Sequence, residues 1–536
     1  MRRALRFLLT FVKYALATLA AVVSITLLAF YLNAEDFPAP SGDALDKVVF
    51  RGVHVIDTAT GRLLENRVIE VSGGRIDRVA PREGYVAPQG YADRDLNGAY
   101  AVSGFWDMHA HLITANLLFH AALHPMNGVL YIRDLQSDCV NDSCTFGSTI
   151  FEMREHQAQV ERGEVLGPYY TGLASYLIAG RRKGQRYGDT PSYLVPNTYE
   201  EGVQLAQYFA ERGVDFIKIY NSTERDAYLG ITDAAKDLPL YVAGHTAASL
   251  TLMENLAAGH RTIEHARDLP LACSTLAQSH AEAYDAWASS DSDEIEGPSL
   301  TKLYNDVVDN YDEAVCDEVL AYWASLDSWY VPTHITREAE FLVHTRAYKQ
   351  DSRLKYLPPL VVSAGWGSTA ENYEKRFAEF PDDLRGYKRF HAQTVMLSGR
   401  AHRAGVKFMV GTDAGDMLVY PGFSYADEMQ HYVDAGIPNA DILRYATQAA
   451  ADFSGMGDTH GSIAEGKYAE LVFFAANPLE DIDNVRDIVG IYHQRHFYDE
   501  SAREAVLEGV ISDNNGLSQY VRLGWFAVQN LVPALF

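Results

Sequence analysis

"TYEEGVQLAQYFAERGVDFIKIY", residues 198–220, joins a helix to a strand through one glycine. Thr198 is of the type that caps a helix, apolar residues then recur at helical spacing, and Gly213 ends the run. "VDFIKIY" follows as a short buried strand, with Lys218 near its end.

The same rhythm extends in both directions. Strand-like runs occur up to His109 in "GFWDMHAHL", and in "VLYIRDL" (129–135), "PYYTGLAS" (168–175), "LPLYVAGHT" (238–246), "TIEH" (262–265), "WYVPTH" (329–334) and "VKFMVGTDAG" (406–415). With the run at Lys218 they make eight. Eight strands alternating with helices predict an α/β fold, a (β/α)₈ TIM barrel, although open α/β sheets alternate too. Before the barrel, "KVVFRGVHVIDTATGRLLENRVIEVSGGRIDRVA" shows β-branched runs cut by "TG" and "GG" turns, and a similar texture returns in "GSIAEGKYAELVFFAANP", 461–478. A small β-sandwich built from both ends of the chain is expected.

The N-terminus differs. Tyr14–Leu32 is nineteen residues without a charge, preceded by Arg2, Arg3, Arg6 and Lys13 and followed by Glu35 and Asp36. As a helix it would span roughly 28 Å, near the bilayer hydrocarbon thickness. The charge bias puts the N-terminus in the cytoplasm and the rest outside. Secretion after signal cleavage is the alternative, although the apolar run is long for a signal peptide. The expected organisation is a basic segment and transmembrane anchor over 1–34, a linker over 35–46, β-sandwich over 47–100 and 459–500, the barrel over 101–458, and a C-terminal helix with an apolar tail over 501–536. The net charge of −26 argues against nucleic acid as a partner. An even cysteine count in an exported chain permits disulfides. Cys139 and Cys144 could close a small clasp or remain thiols, and pairing of Cys273 with Cys316 is open.

The chemistry concentrates where strands end. In a strand, residues i and i+2 share a face, so His109 and His111 would aim together at the mouth where barrel enzymes place their sites. Lys218, His245, His265 and Asp413 end other strands. Imidazole and carboxylate are the donors zinc favours. Three further residues are candidates for substrate contact. Tyr220 shares a strand face with Lys218 and could hydrogen-bond a substrate carbonyl or oxyanion, or simply pack at the rim. His334 ends "WYVPTH" and could touch substrate or lie at the surface. Arg133 could bind a substrate carboxylate, or pair with Asp134 or another acid.

This set, HxH followed by Lys, His, His and Asp on successive strands, resembles the amidohydrolase superfamily. "IKIY", "TIEHARD" and the closing "ATQAAADFSGMGDTHGSIAEGKYAELVFFAANPLEDI" are similar to its imidazolonepropionase-like branch of metal-dependent Xaa-Pro dipeptidases and ochratoxinase-like amidases. The resemblance covers about 46–500; Ser103 departs from the usual proline before Gly104 but touches no ligand. It implies two divalent ions, with zinc expected. His109, His111 and Asp413 would hold the buried one, His245 and His265 the more exposed one, and an N6-carboxylated Lys218 would bridge them. Asp413 would also be catalytic, moving the proton of the attacking water to the leaving amine. The implied activity is amide hydrolysis by a metal-bridging hydroxide, with a dipeptide or N-acyl amino acid as small-molecule substrate. Cyclic amides, lactones or other esters are the alternative, and a non-catalytic membrane-tethered binding protein is the third reading. A homo-oligomer is left open.

Overall fold

Thr198 caps helix α1, Tyr199–Arg212, through a reciprocal arrangement: its hydroxyl accepts from the Glu201 backbone N–H, and the Glu201 carboxylate reaches back to the Thr198 N–H. Gly213 ends the helix in the left-handed conformation, φ +80°, where a side chain would be strained. The chain turns directly into the strand that carries Lys218. In this computed structural model, residues 13–14, 17–19, 21–26, 28, 38–111, 117–140, 148–180, 190–288, 298–343, 345–359 and 361–516 are described.

Eight parallel barrel strands follow in chain order: β1 Phe105–Ala110, β2 Val129–Asp134, β3 Tyr169–Leu173, β4 Phe216–Ile219, β5 Tyr241–Gly244, β6 His260–Glu264, β7 Trp329–Val331 and β8 Lys407–Phe408. β1 to β3 form one hydrogen-bonded group and β4 to β8 another. Parallel bridges join them at both seams: Ala174 to Phe216 between β3 and β4, and Ala110 to Ala414 between β1 and the segment after β8. The second seam is reinforced by Met108 N–H to Val410 O and Asp413 N–H to His109 O. The strand run is therefore a closed barrel, and its last seam brings His109 to Asp413.

The two ends of the chain meet in a single nine-stranded sheet. Lys47–Asp57 pairs with Arg62–Ser72, while Leu471–Phe474 pairs with both Tyr100–Ser103 and Ile488–His493. The expected two-layer sandwich is thus one continuously hydrogen-bonded sheet around its own core, in which Phe50 packs on Phe473, Tyr492 and Phe497. Tyr100–Ser103 belongs to this sheet, so the passage into the barrel falls at Gly104. A Cβ there would lie 2.5 Å from Leu130 side-chain atoms.

Among the described residues no helix is long and apolar enough to cross a membrane. Much of Tyr14–Leu32 lies outside the described residues, so the transmembrane anchor expected there has no structural support. The apolar tail beyond 516 and the acidic run 289–297 also lie outside them. Cys273 and Cys316 form a disulfide. Cys139 is disulfide-bonded as well, and Cys144 lies outside the described residues.

Candidate metal centre

The barrel mouth gathers the six residues singled out at its strand ends. His109 Nε2 lies 3.3 Å and His111 Nε2 2.8 Å from Asp413 Oδ1, and His265 Nδ1 is 3.5 Å from Asp413 Oδ2. Lys218 Nζ is 3.4 Å from His109 Nε2. The His245 ring packs 4.5 Å from that of His265, centroid to centroid. One donor atom each from His109, His265 and Asp413 lies within 4.8 Å of the other two. Asp413 is the hub, and the geometry does not divide the six into the two sets that the resemblance implies.

Two of these residues hold an unusual backbone. His265 and Asp413 have φ of +67° and +68°, a left-handed conformation that His and Asp tolerate better than most residues but that still stores strain. Such strain at a cluster of polar groups is typical of a site whose side-chain directions matter. Gly244, φ +116°, lets β5 pass close to β4: a Cβ there would stand 2.4 Å from Ile219 O and 2.9 Å from Lys218 Cδ.

Beneath the cluster lies a layer that the sequence reading did not assign. Glu264 Oε2 is 2.9 Å from His109 Nδ1, and its Oε1 accepts from Arg133 Nη2 at 2.5 Å. Arg133 also donates to Met108 O and to Thr262 Oγ1. Held at Nδ1 by Glu264, the His109 ring turns Nε2 toward Asp413 and Lys218. Despite the burial that opposes ionisation, Arg133 and His109 draw the Glu264 carboxyl down to about 2. Asp107 performs a similar task one turn of strand away, accepting from the Thr412 N–H and hydroxyl and from His109 N–H.

These contacts correct two of the substrate-contact candidates. Arg133 is fully buried and paired to Glu264, the "another acid" of the alternative reading; it holds a ligand's partner and does not reach the cavity. His334 is fully buried, with Nδ1 at 3.2 Å from Thr394 Oγ1 and Nε2 at 2.9 Å from Ser398 Oγ. The strand ends at Val331, and His334 opens helix His334–Leu342 with its side chain turned to Thr394 and Ser398. Tyr220 does line the cavity, with its ring 4.6 Å from that of His245.

The cavity over the cluster holds about 400 Å³. Besides His111, Lys218, His245, His265 and Asp413, it is lined by Tyr220, Arg267, Arg337, Glu340 and Asp416. Arg337 is already paired, to Glu340 at 2.8 Å. Arg267 is not well matched: its Nε is buried without a hydrogen-bond partner and sits 3.6 Å from Asp268.

The electrostatics fit a cation. Burial, then the Lys218 and His245 charges, hold the His245 and His265 imidazoles well below their ordinary range, so both present lone pairs at neutral pH. Asp413 is held well below the ordinary carboxylate range by His109 and His265, against its burial. Burial brings Lys218 down to about 8, with Glu264 and Asp413 pulling the other way. Asp215 pairs with Arg154, and no described carboxylate makes an ion pair with Lys218. The Nδ1 atoms of His111 and His245 are buried and unpartnered among the described residues. Neutral imidazoles, an ionised carboxylate and orphaned nitrogens together are a donor set for divalent metal.

Residues 389–510, the part that carries β8 and Asp413, match the amidohydrolase family. A bottromycin amidohydrolase superposes with a TM-score of 0.63 at 20% identity, covering 89% of this chain and 95% of that one. The family match is confined to residues 389–510, and the superposition shows a shared fold. A Xaa-Pro dipeptidase with bound methionine gives 0.58 at 20% identity, covering 84% and 100%. The ochratoxinase of A. niger gives 0.51 at 17%, covering 85% and 96%. No curated protein matches by sequence. At these identities the neighbours establish the fold that they share with this chain.

Proposed function

We propose that the protein is a metal-dependent amidohydrolase that cleaves an amide beside a free carboxylate, in a dipeptide or an N-acyl amino acid. The observation that carries this reading is the convergence of His111, His245, His265, Lys218 and Asp413 on one cavity, with His109 buried against Asp413 and Lys218, and an under-partnered arginine in the same cavity. Those six residues would hold two divalent ions, zinc fitting the donors, and Lys218 would serve as a ligand once carboxylated to an anionic carbamate. Ions bound there supply an activated water and polarise the scissile carbonyl.

The chain's own residues do the rest. Asp413, ionised at neutral pH, takes a proton at its carboxylate and returns it to the departing amine. Glu264, itself held by Arg133, fixes the orientation of the His109 ring through Nδ1. The Tyr220 phenol faces the cavity next to His245 and can donate to the oxygen on which charge builds. Arg267 offers its guanidinium to the substrate carboxylate, and Asp416 and Glu340 offer acceptors for a free α-amino group. The disulfide-bonded cysteines fit an oxidising compartment and so an exported catalytic domain.

The test is a hydrolysis screen of metal-loaded protein over dipeptides, N-acyl amino acids and lactones. Turnover of the carboxylate-bearing amides is expected, together with loss of metal and activity in Lys218→Ala. Turnover of lactones alone, or a fully active Lys218→Ala, would sink the reading.

A further inference from the structure

A second group of ligating side chains stands apart from the barrel mouth, where three outer helices meet. They are α2, His334–Leu342, α3, Pro381–Ala404, and α4, Ser424–Asp434. They bring together Glu338, His391 and His431, one donor atom from each lying within 4.8 Å of the other two. His431 is buried and the other two are half-buried. Glu338 also lines a separate cavity of about 180 Å³, with Asp351, Arg353, Tyr420 and Asp427. We propose that Glu338, His391 and His431 form a further divalent-cation site, for zinc or a similar ion, that ties the three helices together.

Two imidazoles and one carboxylate are a common set for zinc, which takes four ligands and leaves the last position to water. The cavity beside Glu338 gives that water a way in. The competing explanation is a plain ion pair between Glu338 and His431. Their atoms are 3.5 Å apart, long beside the roughly 2.7–2.9 Å of a charge-assisted hydrogen bond. It also leaves His391 unexplained: its Nδ1 is buried with no hydrogen-bond partner among the described residues, while its ring stands 5.1 Å from that of His431. A cation between the three satisfies all of them. Ligands at zinc distances sit roughly 3.3 Å from one another, which small side-chain rotations reach from the observed spacing.

The surroundings permit the charge. Arg353 is the nearby cation on the cavity side, and it is paired with both Asp351 and Asp427. Arg337 is paired with Glu340. Burial keeps His391 well below the usual imidazole range, so its lone pair is free at neutral pH. His334, close by, is excluded from the set because Thr394 and Ser398 occupy both of its ring nitrogens.

The proposal does not rest on the barrel chemistry, and the experiment separates the two. Full-length protein is equilibrated with Zn²⁺, dialysed, and its zinc counted by elemental analysis, for the parent, His391→Ala, Glu338→Gln and Asp413→Ala. His391→Ala and Glu338→Gln should each hold roughly one ion per chain fewer than the parent, and Asp413→Ala should keep that ion. Added zinc should raise the thermal midpoint of Asp413→Ala but not that of Asp413→Ala/His391→Ala. Should His391→Ala fail to fold, the isosteric Glu338→Gln decides. Zinc equal to the parent's in the variants at 338 and 391, or a parent that binds none, overturns the proposal. A parent whose only zinc disappears in those variants would uphold it and remove the barrel reading instead.

Discussion

The molecule has two histidine-rich regions, and they are built differently. At the barrel mouth each ring stands at or just past a strand end, and His109 and His265 are steadied from behind, by Glu264 and by the Thr333 hydroxyl. His109 turns its other nitrogen, Nε2, to Asp413 beneath a cavity of about 400 Å³, and His265 presents to Asp413 the same Nδ1 that Thr333 holds. In the outer helices His334 is fully enclosed, with both nitrogens engaged by hydroxyls, while His391 and His431 face one another beside a smaller cavity. A histidine's role follows from what stands behind the ring and what lies in front of it. A ring with one nitrogen fixed and the other facing a carboxylate and open space is prepared for a ligand; a ring with both nitrogens bonded is a core residue.

The sharpest way to break this contrast is to exchange one residue in each region. Asp413→Ala should lower kcat by about 10³-fold or more, in keeping with the loss of a proton-transfer group. His334→Ala should lower the thermal midpoint and change kcat/KM little. A large fall in kcat for His334→Ala, with metal content intact, would show that the two regions are not functionally separate. Next in size is Glu264→Gln. It removes the charge opposite a fully buried Arg133 and leaves one acceptor oxygen where Arg133 and His109 each had one. Breaking a buried pair costs about 3–5 kcal/mol, and losing the orienting partner of a ligand costs roughly 10–100-fold in metal affinity. Chemical denaturation and zinc titration would read the two effects; a variant as stable as the parent would show that the Arg133–Glu264 pair does not support the site.

The sequence made the barrel and the six polar residues at five of its strand ends legible, because those runs are largely apolar and the polar exceptions stand out. Thr198 and Gly213 announced the helix before Lys218 in the same way. Arg133 and Glu264 were harder. Both sit on buried strands at positions that could equally face the cavity or lie one layer below it, and only the barrel's depth and stagger decide between these. Glu264 next to His265 in "TIEH" was the available signal: an acid on a buried strand needs a partner, and Arg133 is the buried cation able to supply it. His334 misled because a histidine ending a strand looks the same whether the chain then enters the mouth or turns into a helix. The single nine-stranded sheet was read as two layers because β-branched runs fix strands but not which pairs share hydrogen bonds.

A smaller effect sharpens what the front of the barrel site recognises. Arg267→Met removes a guanidinium with a buried, unpartnered Nε. If it binds the substrate carboxylate, KM should rise about 10–100-fold, the range of a hydrogen bond to a charged group, with kcat changed less. A C-terminally amidated substrate should show no such rise. Equal losses on both substrates would assign Arg267 to packing alone.

The smallest expected effect concerns the outer helices and is a pH dependence. Glu428 on α4 accepts from the His334 N–H at 3.0 Å and the Ile335 N–H at 2.9 Å. Burial lifts its carboxyl to about 8, against the pull of His431 and the two N–H groups. An unfolded Glu titrates at about 4.3. Between these values the folded chain holds a proton that the unfolded chain has released. The stability tied to that proton is complete below about pH 4.3 and is lost as pH rises through about 8, at up to tenfold in the folding constant per pH unit. Glu428→Gln carries no such proton, so parent and variant should diverge across this window when unfolded by denaturant, the parent losing ground as pH rises. A constant difference from pH 5 to 8 would contradict the assignment. A cation at His431 would stabilise the Glu428 carboxylate and draw its titration down. The divergence measured with zinc should therefore be shallower than the one measured with chelator, which ties this titration to the proposed helix site.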